Sequence, residues 1–193
     1  MSKIVAFTNL TLDGVMQAPG RLDEDRRDGF EHGGWATPFA AMQDAGERIA
    51  NMGALLFGRW TYESFYSFWP NQTDSPFTPM LDNIQKYVAS TTLKEPLLWK
   101  NSTLLAGDAA NAVVKLKAKP GKDIVIFGSG VLIQSLMRRN LVDEYVLLIH
   151  PLVLGSGRRL FADGSTTKLR LVNTQSTSKG VLVASYHPQS QAA

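Results

Sequence analysis

No cysteine occurs anywhere in the 193 residues, and only three histidines do. The first absence excludes a disulfide framework, thiolate-ligated zinc or iron–sulfur centres and a cysteine nucleophile. The second leaves little for a His-rich metal site, so no metal is expected. Nor is there any run of about 18 apolar residues, the length a membrane-spanning helix requires. The opening MSKIVAFTNLTLDG is interrupted at Asn9 and Asp13, too early for a signal h-region. It reads as a first strand, and a soluble cytoplasmic protein is expected. Charge of one sign is scarce as well, with 20 Lys plus Arg against 17 Asp plus Glu. The basic residues are scattered as Arg26-Arg27, Lys115, Lys117, Arg138-Arg139 and Arg158-Arg159, without interleaved aromatics. That pattern fits solvated faces and helix ends rather than a nucleic-acid surface.

What remains is ordinary globular material, 44% hydrophobic and 19% charged, enough for one core without staples. A single domain over residues 1–188 with a disordered tail at 189–193 is expected. Short apolar runs alternate with helical periods along the chain. Ile4 to Phe7 reads as a buried strand, followed by a polar, Gly-rich loop to about residue 36. Thr37-Pro38 has the form of a helix start, with Phe39, Met42, Gly46 and Ile49 on one stripe. Ala54 to Phe57 is a strand ending at Gly58, Thr78-Pro79 caps a short helix through Ile84, and Tyr87 to Ala89 and Thr103 to Leu105 are strands. Asp108 caps a helix whose Ala109, Ala112, Val113 and Leu116 share a face; Ile124 to Phe127 follows as a strand and then a helix to Arg139. Tyr145 to Ile149 is a strand, and β segments near 168–176 and 180–187 close a hairpin across Ser178-Lys179-Gly180. Strands alternating with helices before a hairpin predict an α/β fold: a mostly parallel sheet, helices on both faces, an antiparallel edge.

Two segments carry chemistry. Gly58-Arg59-Trp60-Thr61 turns from a buried strand into a helix, where free N–H groups, a guanidinium and a hydroxyl suit one anion. Alone it is equally an ordinary strand-to-helix turn with a surface arginine. Gly128-Ser129-Gly130-Val131-Leu132 repeats the grammar, two glycines removing Cβ atoms where a pyrophosphate approaches the backbone. It is not a full G-x-G-x-x-G, because Ile133 stands in the third glycine's place, and no ribose-binding acid lies about 20 residues on. A Rossmann dinucleotide fold is therefore disfavoured. Two strand–Gly–helix turns in one small domain still suit a dinucleotide.

The ordered segments Asn9-Leu10-Thr11-Leu12-Asp13-Gly14, Gly58-Arg59-Trp60-Thr61-Tyr62-Glu63, Lys86 to Leu93, Gly128-Ser129-Gly130 and His150 to Phe161 resemble the dihydrofolate-reductase-like superfamily. The nearer branch is the C-terminal reductase domain of bifunctional riboflavin-biosynthesis proteins and its stand-alone bacterial relatives. The resemblance implies a three-layer α/β/α fold on an eight- or nine-stranded sheet, NADP(H) as cofactor and a homodimer. It implies that Gly58, Arg59 and Thr61 hold cofactor phosphate, that Ser90 and Thr91 lie at the adenosine 2′-phosphate, and that Gly128, Ser129, Gly130, Val131 and Leu132 cradle the pyrophosphate.

The substrate side rests on fewer residues. Asp44 and Glu47 point away from the stripe of their expected helix, which disfavours true dihydrofolate reduction. Asp13 is the acidic candidate for binding or protonating substrate at the end of the first strand; its Asp-Gly setting equally suits a turn residue bonding its own backbone. Trp35, Phe65, Trp69 and Trp99 offer stacking faces or core contacts, and His150 a proton donor or a structural strand end. Pro151 and Leu152 resemble a substrate-side loop, and Gly155 to Arg159 either binds an anion or turns into a strand. An NADPH-dependent reductase of a small heterocyclic, carbonyl or imine substrate is expected, pterin- or pyrimidine-like. Two alternatives stay open: a stand-alone riboflavin-pathway 5-amino-6-(5-phosphoribosylamino)uracil reductase, no Cys or H-x-E being available for a deaminase, and a non-catalytic NADP-binding sensor.

Overall fold

The computed structural model describes residues 1–39, 51–161 and 163–189. Its strands are β1 (Ile4–Thr11), β2 (Met52–Gly58), β3 (Gln85–Ala89), β4 (Ser102–Leu105), β5 (Asp123–Phe127), β6 (Glu144–His150), β7 (Leu169–Ser176) and β8 (Leu182–Pro188). The helices are α1 (Arg59–Phe68), α2 (Phe77–Asn83), α3 (Ala109–Ala118) and α4 (Gly130–Met137). One eight-stranded sheet runs in the order β4-β3-β2-β5-β1-β6-β8-β7. The first six strands of that row pair in parallel, and β8 joins β6, and β7 joins β8, antiparallel.

The continuous apolar runs explain the layers. Along β1, Ile4, Ala6 and Leu10 enter one core while Val5 and Phe7 enter the other; β5 divides Ile124 and Ile126 from Val125 and Phe127 in the same way. A strand apolar on both sides must be covered on both sides. Ala110, Val113 and Leu116 of α3 and Leu132, Ile133 and Leu136 of α4 cover the first face. Tyr62 of α1 and Leu81 of α2 cover the second. The expected mostly parallel α/β/α arrangement with its antiparallel hairpin is the one observed.

Several boundaries differ from expectation. β1 continues past Phe7 because its pairing with β6 runs on to Thr11 opposite His150. Thr78 does not cap its helix; Pro76 holds the cap position and the hydroxyl of Thr78, the second helical residue, donates to the Gln72 carbonyl at 2.7 Å. Thr37–Phe39 form a 3-10 turn, and the rest of the helix expected there, with Met42, Asp44, Gly46, Glu47 and Ile49, lies outside the described residues. At the other end Gln189 N–H donates to Lys168 O at 2.8 Å, extending the hairpin one residue beyond position 188. Among the described residues no helix is long and apolar enough to cross a membrane.

Lys86 departs furthest from the expectation of solvated basic residues, being fully buried in β3. Its Nζ donates to the carbonyls of Leu81 at 2.7 Å and Ile84 at 2.8 Å, closing the C-terminal end of α2, and lies 4.6 Å from the centre of the Trp99 ring. The ammonium thus meets the negative end of a helix and an aromatic face together. Burial still pushes its pKa from 10.5 down to about 8. Between those values the unfolded chain keeps the proton that the folded chain releases, so this residue makes stability rise with pH across the window. Lys86→Met should cost about 1–3 kcal/mol through the carbonyls it strands and flatten that alkaline rise. Denaturant titrations from pH about 7 to about 10 check both; an unchanged pH slope would refute the assignment.

Candidate active site

β1 and β2 are consecutive in sequence yet flank β5, which the chain inserts later, so helices leave the sheet in opposite directions around β5. Open α/β sheets bind ligands at the carboxyl edge of such a switch. Here that edge opens on a cavity of about 1170 Å³ lined by Phe7, Thr8 and Asn9 of β1, Gly58 of β2, Ala89 of β3 and Phe127 of β5.

Three helices begin at its rim, and they are not alike. The N-terminus of α3 is filled from within, the Asp108 carboxylate accepting N–H bonds from Ala110 at 2.8 Å and Asn111 at 3.3 Å. Neither α1 nor α4 has a side-chain cap. Their first N–H groups therefore keep their partial positive charge and face the cavity. Gly128 at φ +60° and Ser129 at φ 58°, ψ 52° are successive left-handed residues that bend the chain from β5 into α4. Ser129 Oγ, which elsewhere would cap its own helix, reaches across instead: it accepts from Gly58 N–H and donates to Thr61 Oγ1, each at 2.9 Å. One hydroxyl thus locks the two turns together.

Arg59 extends this basic rim. Its Nη1 donates to Thr92 Oγ1 at 2.8 Å and its Nε to Glu63 at 2.9 Å, which fixes the guanidinium beside the loop after β3. That loop is itself a turn, Ser90 Oγ accepting N–H bonds from Thr92 and Leu93. Gly58, Arg59, Thr61, Ser90, Thr91, Gly128, Ser129, Gly130, Val131 and Leu132, drawn from three segments of the chain, all line the one cavity.

The outer wall is the loop after β1, in which the sequence singled out Asp13 and Trp35 but not Gln17, Arg21 or Arg27 as site residues. Gln17 organises it from a buried position: its amide donates to the Arg27 carbonyl at 3.0 Å and accepts Arg158 N–H at 3.0 Å, and its own carbonyl receives the Trp35 indole N–H at 2.7 Å. Arg21 and Arg27 lean on α1, their guanidinium carbons 4.6 Å from the Phe68 ring and 4.2 Å from the Trp60 ring. Phe65, Phe68, Trp69 and Phe77 supply aromatic surface inside.

The remaining candidates fall elsewhere. Asp13 is not among the lining residues; its carboxylate accepts from the Thr11 hydroxyl at 2.6 Å, Gly155 N–H at 2.8 Å and Leu154 N–H at 3.3 Å, with Arg159 at 3.8 Å. The Thr11 bond first, aided by those backbone groups, holds its pKa below the usual carboxylate range, so it sits ionised as a clamp on the loop after β6. Trp35 packs with Val15, Ala18 and Phe30 beneath the outer loop rather than on the cavity surface, because its N–H is taken by Gln17. Pro151 and Leu152 also lie off the lining, the Leu152 carbonyl accepting from Leu12 N–H at 2.9 Å. Of the Gly155–Arg159 loop, Gly157, Arg158 and Arg159 reach the cavity, and a Cβ at Gly157 would come within 2.7 Å of Phe30 and Val15. His150 is buried against Trp35 and Phe39, and desolvation pushes its pKa down to about 4, which leaves a neutral imidazole at physiological pH. Among the described residues no group of His, Asp and Glu is placed to hold a metal ion.

The clamp has a measurable consequence. Asp13→Asn puts an amide NH2 where a donor now points, and exchange of the Leu154 and Gly155 amides should accelerate about fivefold to tenfold, with turnover changed by no more than about twofold. A turnover loss of about a hundredfold with unchanged exchange would return Asp13 to the chemistry.

The same architecture recurs in solved structures. A Shewanella sp. PV-4 protein ascribed to riboflavin biosynthesis superposes with a TM-score of 0.70 at 22% identity, over 97% of this chain and 99% of that one. Dihydrofolate reductase from Enterococcus faecalis, solved with NADP(H) and RAB-propyl, superposes with a TM-score of 0.61 at 16% identity, over 96% of each chain. In sequence, the protein YyaP of Bacillus subtilis (strain 168) is 34% identical over 138 residues, 69% of this chain and 72% of its own length. The RibD C-terminal domain model matches residues 2–183, from the lead-in to the central strand through to the hairpin, and the chain belongs to that family.

Proposed function

We propose that the protein is an NADPH-dependent reductase that delivers hydride to a carbonyl or imine carbon of a small flat heterocycle. The observation that carries this reading is the pair of uncapped helix N-termini, bridged by Ser129 and opening on one cavity. A phosphate there meets N–H groups that no side chain satisfies. The cavity, at about 1170 Å³, exceeds the roughly 300–1,000 Å³ of a site for one drug-sized ligand. Room for a dinucleotide and a second molecule follows.

NADPH, when bound, supplies the hydride. In this reading the first turns of α1 and α4 bind its pyrophosphate, and Arg59 with Ser90 and Thr91 receives the adenosine 2′-phosphate. The aromatic side chains of α1 and α2 hold the substrate ring, and the outer loop excludes water. Hydride transfer asks for orientation more than for acid–base residues, and the proton that completes the reduction at the substrate oxygen or nitrogen is taken from solvent. Membership of the RibD family supports a second reading, in which the heterocycle is a ribosylamino-pyrimidine phosphate; dependence of turnover on the substrate's phosphate would favour it.

NADPH should bind at least about tenfold more tightly than NADH, the gain of one charge-assisted hydrogen bond or more. Equal affinities by calorimetry would refute the 2′-phosphate site. Gly58→Asp gives α1 the same internal carboxylate that α3 has; Gly58 has extended backbone and room for a Cβ, 3.5 Å from Ser129 Oγ. Stability should hold or rise by a few tenths of a kcal/mol, about 0.3, while NADPH affinity falls at least about tenfold. Unchanged affinity in a folded variant would remove α1 from the site.

A second copy of the chain is proposed to cover β7. This strand ends the sheet, is exposed from Arg170 to Ser176, and presents Leu171 and Val172, with a further exposed apolar side chain, Leu182 of β8, opposite Ser176. Such an edge invites pairing. Light scattering at micromolar concentration should give twice the 21.2 kDa chain mass, and Val172→Lys should shift it toward the monomer. A monomeric wild type would refute the dimer.

A further inference from the structure

His150 poses a problem of satisfaction. Its Nε2 lies 2.9 Å from Asn9 Oδ1, whereas its Nδ1 is buried with no hydrogen-bond partner among the described residues. Two arrangements fit the contact. If the imidazole proton is on Nε2, the ring donates to Asn9 Oδ1 and only a lone pair is stranded at Nδ1. If the Asn9 amide were reversed, its NH2 would donate to Nε2, the proton would sit on Nδ1, and a buried N–H would have no acceptor. An orphaned donor is the rarer and costlier state, which selects the first arrangement. The rings of Trp35 and Phe39, edge-on at 5.2 Å and 5.1 Å, hold the imidazole in place.

The consequence falls on Asn9. Its carbonyl is committed to His150, so the amide NH2 is the end left for the cavity that Asn9 lines. Alternation along β1 puts Asn9 on the same side as Phe7, the side covered by α1 and α2, and Phe65 and Phe68 of α1 line the same cavity. A donor among aromatic faces is a selective element, because a ring offering it no acceptor leaves it unpaired.

Resting on the reductase reading above, we infer that Asn9 is a specificity-determining residue whose Nδ2 donates to a carbonyl oxygen of the substrate ring. His150 is its positioning residue, fixing which end of the amide faces the cavity. The substrate class is thereby narrowed to neutral oxo-heterocycles, in preference to amino-substituted rings that present N–H at the same place.

The test uses the full chain saturated with NADP⁺ and two isosteric probes, lumazine (2,4-dioxopteridine) and 2,4-diaminopteridine, titrated by calorimetry. Wild type should favour lumazine by about tenfold or more. Asn9→Asp, which replaces the NH2 by an acceptor at constant size, should reverse the preference. Asn9→Leu should erase it to within about twofold. NADPH affinity should stay within about twofold of wild type in both, which also shows that they fold. His150→Phe keeps a ring between Trp35 and Phe39 but removes the donor, and should reduce the preference, while ¹⁵N imidazole spectra of wild type should show a neutral ring protonated at Nε2. Retained oxo preference in Asn9→Asp, a proton on Nδ1, or failure of wild type to bind lumazine while it binds NADPH would each overturn the inference and leave the reductase reading standing. Failure to bind NADPH at all would instead overturn the reductase reading itself.

Discussion

The site depends on the insertion of β5 between β1 and β2. Because β2 and β5 are hydrogen-bonded neighbours running the same way, the turns that leave them must start side by side, and the helices that follow must point their N-termini at the same space. Ser129 turns this adjacency into a fixed distance: the hydroxyl that accepts from Gly58 and donates to Thr61 belongs to a left-handed residue that follows a left-handed glycine. Topology, turn and polar bridge act together. If any one of them were lost, two half-sites would face different directions.

Much of this was legible in the sequence, for identifiable reasons. The strands β1, β2, β5 and β6 announce themselves because each is apolar on both faces, and Asp108 announces its helix because a carboxylate before Ala-Ala-Asn has few other uses. The Gly58 and Gly128 turns stand out because glycine and abrupt polarity changes mark the end of a buried strand. What is lost is whatever depends on a partner far away in the chain. Nothing local reveals that Lys86 turns inward to close α2, or that Gln17 holds the outer loop to Arg27 and Arg158. Asp13 is the instructive case, since both readings of its Asp-Gly setting were chemically sound. Two backbone N–H donors, 141 and 142 residues away, engage its carboxylate, a partnership that neither reading contains.

Electrostatics around the rim are more discriminating than net charge suggests. The chain carries +3 overall, yet its cavity is lined by two open helix ends, by Arg59 held by Thr92 and Glu63, by Arg21, Arg27, Arg158 and Arg159 of the surrounding loops, and by a third helix end neutralised by Asp108. The unfilled ends are where positive potential survives. A carboxylate fills the N-terminal end of α3, so the open helix ends at the cavity are those of α1 and α4.

The outer loop is joined to α1 in an unusual manner for a wall that must exclude water. Gln17 within the loop is tied to Arg158 by a hydrogen bond, while Arg21 and Arg27 rest on α1 with their guanidinium groups over Phe68 and Trp60, Arg21 also donating to Ser64 Oγ at 3.3 Å. A hydrogen bond fails when its donor moves sideways, whereas a flat cation over a ring keeps most of its attraction as it slides across the face. The contact with α1 therefore combines two ring-stacked cations, tolerant of small sideways shifts, with one hydrogen bond at Ser64 that fixes their register. Trp60 and Phe68 thus serve two sides at once, carrying the guanidinium groups of the loop and lining the cavity that the loop encloses.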